Sequence, residues 1–292
     1  MVRELVVISG KGGTGKTSVS ASIISLASST LKLVAADCDV DASTLHVLLK
    51  PRVKQEEKFS GSKVARIDKG KCIKCMACQS VCRFDAINDL GVDIYSCEGC
   101  GVCAFICPVD AITLEDRDSG RIFVSETKYG PMCHAELLPG ESNSGKLVSL
   151  VKQYARKIAE DEKRELIVVD GPPGIGCPVI SSIAGADLLL IITEPTMSGL
   201  HDLRRAINLA QFFRMTKIFV AINMWDINPE MTTEIVKACA DEKVEVLAKL
   251  PFDKKVVDAV VNRMPAVEFD STSPFSQEVK QLWDSLFSLL ST

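Results

Sequence analysis

Eight of the twelve cysteines in this 292-residue chain obey a single rule. Adding 25 to Cys72, Cys75, Cys78 and Cys82 gives Cys97, Cys100, Cys103 and Cys107, and the same step carries Asp85-Ala86-Ile87 onto Asp110-Ala111-Ile112. A fixed internal period marks a duplicated supersecondary unit rather than scattered thiols. The middle of the chain must therefore fold as two copies of one small motif, each spaced C-x2-C-x2-C-x3-C.

Three cysteines at this spacing wrap a tight loop round three corners of an iron–sulfur cluster, and the fourth reaches elsewhere. The pattern is similar to that of bacterial ferredoxins with two [4Fe–4S] clusters. That resemblance implies crossed ligation: Cys72, Cys75, Cys78 and Cys107 around one cluster, Cys97, Cys100, Cys103 and Cys82 around the other. Zinc usually takes four ligands from two C-x2-C pairs, and disulfides need an oxidising compartment. A reducing, cytoplasmic setting in an oxygen-wary host is the expectation. Arg83 stands where the second copy has Pro108, which should change the local turn and could raise one potential.

Near the N-terminus the short apolar run Leu5–Ile8 ends in Ser9-Gly10-Lys11-Gly12-Gly13-Thr14-Gly15-Lys16-Thr17, followed by the helix-compatible Ser18–Ser28. This fits G-x-x-x-x-G-K-[ST] in the strand-to-helix context that the motif demands. Backbone N–H groups of Gly12, Gly13, Thr14, Gly15 and Ser18 are placed to cradle phosphates, with the helix N-terminus adding its dipole. Lys16 should reach the β- and γ-phosphates of ATP, and the Thr17 hydroxyl should bind Mg²⁺. Leu31–Ala36 reads as a second strand, ending in Asp37-Cys38-Asp39. Leu166–Asp170 reads as a buried strand ending in an acid, then Gly171-Pro172-Pro173-Gly174.

Lys11, the Asp-x-Asp and the D-G-P-P-G segment together resemble the deviant Walker A ATPases of the MinD, ParA, Mrp and nitrogenase iron protein type. The resemblance covers nearly the whole chain, and what it implies is specific. Lys11 would cross a dimer interface to the partner's nucleotide, and Asp39 would orient the attacking water. Asp37 and Asp170 would support Mg²⁺, and the Gly174 N–H would sense the γ-phosphate and move when it leaves. Asn223 would meet the adenine, with Pro251 lining the same pocket. Asp41 lies in the same acidic patch and shares candidacy for the acidic roles. A homodimer or a heterodimer with a related ATPase is implied.

The expected fold class is α/β, a parallel-sheet P-loop NTPase with an inserted α+β bacterial-type ferredoxin domain. Residues 1–59 and 119–292 form the ATPase domain, and residues 60–118 form the insert. Pro51–Lys69 is polar and reads as the lead-in to the insert, and Asp116–Gly120 as its exit turn before a strand at Arg121–Ser125. A helix capped by Ser142 or Asn143 should run through Leu147–Ala159, burying Leu147, Leu150, Val151, Tyr154 and Ile158. Strands Leu188–Thr193, Lys217–Asn223 and Val244–Leu250 alternate with helices Leu200–Phe213 and Glu230–Ala240. Such wholly apolar strands imply a sheet covered on both faces. The amphipathic helix Phe275–Leu290 carries Glu278, Lys280 and Asp284 and should pack on the core rather than touch a membrane.

A net charge of −4 with no long basic run gives no electrostatic support for nucleic-acid binding. The longest apolar runs are too short to span a bilayer. The functional expectation is a Mg-ATP-driven protein that gates electron transfer through two clusters to a redox partner. The principal alternative is an assembly or carrier protein for Fe–S or metal cofactors, although a C-terminal C-x-x-C pair is missing. An amide synthetase lacks room for a substrate domain, and a positioning switch would not need its cysteines. Cys133 beside His134, and Cys177, read as packing or interface groups, with a transient third cluster or metal as the alternative.

Overall fold

The computed structural model describes residues 2–141 and 144–291; the proposed caps Ser142 and Asn143 lie outside them. In chain order the elements are β1 (Arg3–Ser9), α1 (Lys16–Ala27), β2 (Leu33–Asp37), α2 (Leu45–Leu49), β3 (Arg52–Ile67), α3 (Ala77–Ser80), β4 (Ile87–Asn88), β5 (Gly91–Val92) and α4 (Val102–Phe105). Then follow β6 (Ile112–Thr127), β7 (Gly130–Leu137), α5 (Ser144–Asp161), β8 (Leu166–Pro173), α6 (Cys177–Ile183), β9 (Leu188–Thr193) and α7 (Met197–Phe212). The chain ends with β10 (Ile218–Asn223), α8 (Pro229–Asp241), β11 (Glu245–Leu250), α9 (Lys254–Val261), α10 (Ala266–Phe269) and α11 (Pro274–Ser291). Two compact units result. The first takes Met1–Glu56, Ile122–Glu136 and Ser144–Thr292, and the second Glu57–Arg121 and Leu137–Asn143.

The sheet runs in the order β11-β10-β9-β1-β8-β2-β7-β6-β3. Strand β1 pairs in parallel with both β8 and β9, and β2 with both β8 and β7. Strands β1, β2, β8 and β9 are buried almost end to end, because helices cover both faces of a parallel sheet. On one face α1 and α11 meet the strands through Val19, Ile23, Ile24, Phe275, Val279, Leu282, Trp283 and Leu286. The C-terminal helix therefore spends its apolar stripe on the core. No helix among the described residues is long and apolar enough to cross a membrane.

Two local readings need correction. Asp116–Gly120 is not a turn but lies inside the 16-residue strand β6. Its turn-forming residues are overridden by long-range partners: the Leu138 N–H donates to the Ser119 carbonyl, and Arg117 pairs with Glu141. The polar lead-in Pro51–Lys69 is carried by the strand β3, most of whose charged side chains stand exposed with Phe59 and Ala65 turned inward. Helix α5 buries Leu147, Val148, Val151, Lys152, Ala155 and Ala159, a stripe rotated from the apolar one. Lys152 draws it round, its ammonium bonding the Glu4 carboxylate and the Ser182 and Ala184 carbonyls.

Candidate functional site

The acidic and basic residues singled out from the sequence gather at the carboxyl ends of the parallel strands, where α/β sheets bind ligands. Asp37 closes β2 directly opposite Asp170 on β8. The loop after β1 turns into α1 through Gly15, whose φ of +84° is left-handed. Lys16 leads α1 and its ammonium lies 2.9 Å from Asp170 Oδ1 and 3.6 Å from Asp39 Oδ2. Thr17 Oγ1 donates to Asp170 Oδ2 at 2.7 Å. Ser20, one turn along the same helix face, donates to Asp170 Oδ1 at 2.7 Å; its i+4 spacing from Lys16 was the available sequence signal.

Asp37 is fully buried and accepts from the Asp39 N–H, the Ser43 hydroxyl and the Leu45 N–H. Burial, and then the charge of Asp170, hold its carboxyl above the ordinary range. Asp39 is also raised, by burial first, against the pull of Lys16. Burial alone would disfavour the Lys16 ammonium, but Asp170, Asp39 and Asp37 outweigh it and raise its pKa. Three carboxylates around one ammonium leave a local excess of negative charge that a divalent cation would relieve.

The other loop residues are tied back to their own chain. Asn223 donates its side-chain amide to the Thr14 carbonyl at 2.8 Å. The Gly174 N–H donates to the Ser9 carbonyl at 2.8 Å. Lys11 pairs with Glu194 at 2.6 Å and donates to Ser198 at 2.8 Å. Glu194 was missed in the sequence, although an acid directly after an apolar strand is the signal that identified Asp170. Asp41 is exposed, and Pro251 follows β11 at the same edge of the sheet. Phosphate room exists: a Cβ on Gly12, Gly13 or Gly174 would meet nothing within 4 Å. The buried Thr14 hydroxyl has no partner among the described residues.

In the second unit the 25-residue period is visible in the backbone. The left-handed residues Lys74, Met76 and Asp85 recur at Gly99, Gly101 and Asp110, and the helix α3 recurs as α4. The Asp68 N–H donates to the Ala111 carbonyl at 2.7 Å, and the Asp93 N–H to the Ala86 carbonyl at 2.7 Å. Each copy thus lends a strand end to the other. Two apolar pockets follow. One is lined by Cys72, Cys75, Cys78 and Cys107 with Ile67, Leu90 and Val109. The other is lined by Cys82, Cys97, Cys100 and Cys103 with Val81, Phe84 and Ile87. The Ala86 and Ala111 N–H groups donate to the Cys82 and Cys107 sulfurs at 3.4 and 3.3 Å. All eight thiols are free of disulfides. No group of three or more His, Cys, Asp or Glu among the described residues could hold a single metal ion.

Cys133 is fully buried, and burial pushes its thiol up to about 12. Cys177 is exposed at the start of α6.

Residues 5–266 match the CbiA family, the CobQ/CobB/MinD/ParA nucleotide binding domain. The chain belongs to this family. An uncharacterized protein of Methanocaldococcus jannaschii is 36% identical over 286 residues, covering 98% of this chain and 97% of the relative. An iron-sulfur cluster carrier protein of the same organism is 25% identical over 180 residues, 55% of this chain and 61% of the carrier. The septum site-determining protein MinD of Pyrococcus horikoshii, solved with Mg-ADP, superposes with a TM-score of 0.62. It is 18% identical, with 99% and 97% of the two chains covered. Membership of the CobQ/CobB/MinD/ParA family implies ATP and Mg²⁺. The buried donor set fits them: Lys16 would neutralise phosphate charge, and the Thr17 hydroxyl and Asp170 carboxylate would hold the ion, which supplies electrostatic stabilisation at the transferred phosphoryl group.

Proposed function

We propose that the chain is a dimeric, Mg-ATP-hydrolysing member of the deviant Walker A branch whose insert, residues 60–118 between ATPase segments 1–59 and 119–292, holds two [4Fe–4S] clusters. Nucleotide state gates electron delivery from those clusters to a partner protein. The observation that carries this reading is the lining of the two apolar pockets. Four cysteines face each one, and Cys82 and Cys107 have changed sides, as crossed ligation requires. Sulfurs spread round a pocket wall suit a polynuclear cluster, whereas the ligands of one zinc ion converge on a point.

In the nucleotide half, Lys16, Thr17, Asp37, Asp39 and Asp170 act on phosphate, metal and water, with Asn223 and Pro251 at the base. Lys11 is the dimer-crossing lysine; its bonds to Glu194 and Ser198 break on exchange for the partner's nucleotide. The Gly174 N–H leaves the Ser9 carbonyl for the γ-phosphate. The Gly174 step exchanges a neutral hydrogen bond for a charge-assisted one, and the Lys11 step exchanges an ion pair with Glu194 and a bond to Ser198 for contacts to phosphate. Clusters supply one-electron chemistry, and their potential follows hydrogen bonding, charge and solvent exposure. For one electron, about 59 mV is a tenfold change in equilibrium.

The deciding experiment is potentiometry on anoxically prepared protein with no nucleotide, Mg-ADP and a non-hydrolysable Mg-ATP analogue. Potentials or reduction rates that shift between states support gating; identical values in all three states end it. A second reading, that the protein hands clusters or metal to apoproteins, is favoured by the resemblance to the iron-sulfur cluster carrier. It predicts iron transferred to an apo-acceptor, where gating predicts about eight irons that cycle in place.

A further inference from the structure

A cavity opens in the first unit beside α2 and β7. It has a volume of about 540 Å³, and its wall is formed by His46, Val47, Lys50, Pro51, Val53, His134 and Arg263. That size lies within the range of small-molecule sites. The composition is one-sided: two imidazoles, one ammonium and one guanidinium, with no acid in the wall. Lys50 caps the end of α2 and Arg263 follows α9. Neither side chain has an ion-pair or hydrogen-bond partner among the described residues.

His134 supplies an independent mark. It is only 5% exposed, and its Nδ1 is buried without a hydrogen-bond partner among the described residues. An unmet buried nitrogen costs about 1–3 kcal/mol, and folds rarely tolerate it outside functional places. Its ring is held between Phe123 at 4.9 Å and His46 at 5.8 Å, nearly parallel to both. The two imidazoles are therefore fixed in the wall by stacking, while Lys50 and Arg263 stand exposed at its rim.

The cavity also has a link to the nucleotide site. His46 Nδ1 lies 3.3 Å from the Ser43 hydroxyl, which donates to Asp37 Oδ2 at 2.8 Å. A ligand that engages His46 competes for, or reorients, the hydroxyl that holds Asp37.

We propose that this cavity is an effector site for a small molecule bearing phosphate or carboxylate groups, bound by Lys50, Arg263 and His46 and read out at Asp37 through Ser43. Two unpaired cations suit such oxyanions, with the guanidinium able to bind in bidentate fashion. Affinity should fall as salt rises, because both cations are exposed. The binding half stands without the nucleotide-site reading, whereas the readout half rests on it.

The test keeps the whole chain, anoxically prepared and saturated with Mg-ADP so that added anions do not report on the P-loop. Glycerol 2-phosphate and tricarballylate are titrated calorimetrically as phosphate and carboxylate probes. Saturable binding of either, weakened at least tenfold in K50Q/R263Q whose ADP affinity is unchanged, supports the site and names its chemistry. No saturable binding up to millimolar concentration, or undiminished binding in the double variant, overturns it. Binding of a hexaglutamate peptide but of neither small anion assigns the cavity to a partner's acidic segment and also overturns the small-molecule reading. For the readout, a bound probe should change ADP affinity in the wild type and not in Ser43→Ala. An equal change in both, or none in either, removes the link while leaving the site.

Discussion

At Gly15 the chain needs a residue with no side chain for two separate reasons. Its φ of +84° is left-handed, and a Cβ there would stand 2.3 Å from Asn223 Nδ2. Gly15→Ala should cost about 1–3 kcal/mol in backbone strain and release Asn223 from the Thr14 carbonyl, weakening nucleotide binding. Calorimetric ADP titration beside a thermal melt reads both effects, and unchanged affinity would mean that Asn223 does not shape the loop. His134 gives a pH signature. Burial first, then His46, lowers its pKa from 6.5 to about 4. Because the folded value is the lower one, its stabilising contribution is complete above 6.5 and is lost as pH falls through about 4. A lowering of that size corresponds to roughly 3 kcal/mol. His134→Leu should therefore lose less stability than the wild type between pH 7 and pH 4, as read by paired melts at each pH. Equal losses would show that His134 is not the acid-sensitive group.

Strand β6 is the element that sequence patterning reads least well. The run Asp116-Arg-Asp-Ser-Gly has turn composition, yet none of its residues takes a left-handed φ, and distant partners extend it. Arg117 and Glu141 form a nearly buried ion pair, and Arg117 also donates to the Ile94 carbonyl. Removing one member of such a pair strands the other charge, at about 3–5 kcal/mol. Arg117→Gln should thus loosen the second unit selectively. Hydrogen exchange should quicken along Ile112–Arg121 while β1, β8 and β9 keep their protection; uniform quickening would show that the units open together. Helix α5 makes the related point. Its apolar stripe was legible, but the buried stripe is set by Lys152 reaching Glu4, a pairing 148 positions apart that no local pattern encodes.

For the whole molecule the decisive property is the crossing of Cys82 and Cys107. If the pockets hold the clusters as proposed, Cys82→Ser and Cys97→Ser damage the same centre. Each, and the two together, should cost about four of about eight irons, whereas Cys82→Ser with Cys72→Ser should deplete both centres. Iron analysis and EPR on anoxic protein measure this, and additive loss from Cys82→Ser with Cys97→Ser would uncross the ligation. The strand order tells a similar story. A β-α alternation predicts parallel pairing, but that β1 sits between β8 and β9 was not written in any segment. It is that placement which brings Asp170 to Lys16, Thr17 and Ser20.

The P-loop, the acids at strand ends and the duplicated cysteine motif were all legible in the order of residues, because each depends on spacing along a few neighbouring positions. The length of β3 and β6, the face that α5 buries, the bonding of Lys11 to Glu194 and the cavity beside His134 emerged from long-range packing alone. Those features arise where residues distant in the chain satisfy one another's charge and hydrogen bonds, and long-range partners outweigh local preference when burial makes an unmet polar group costly.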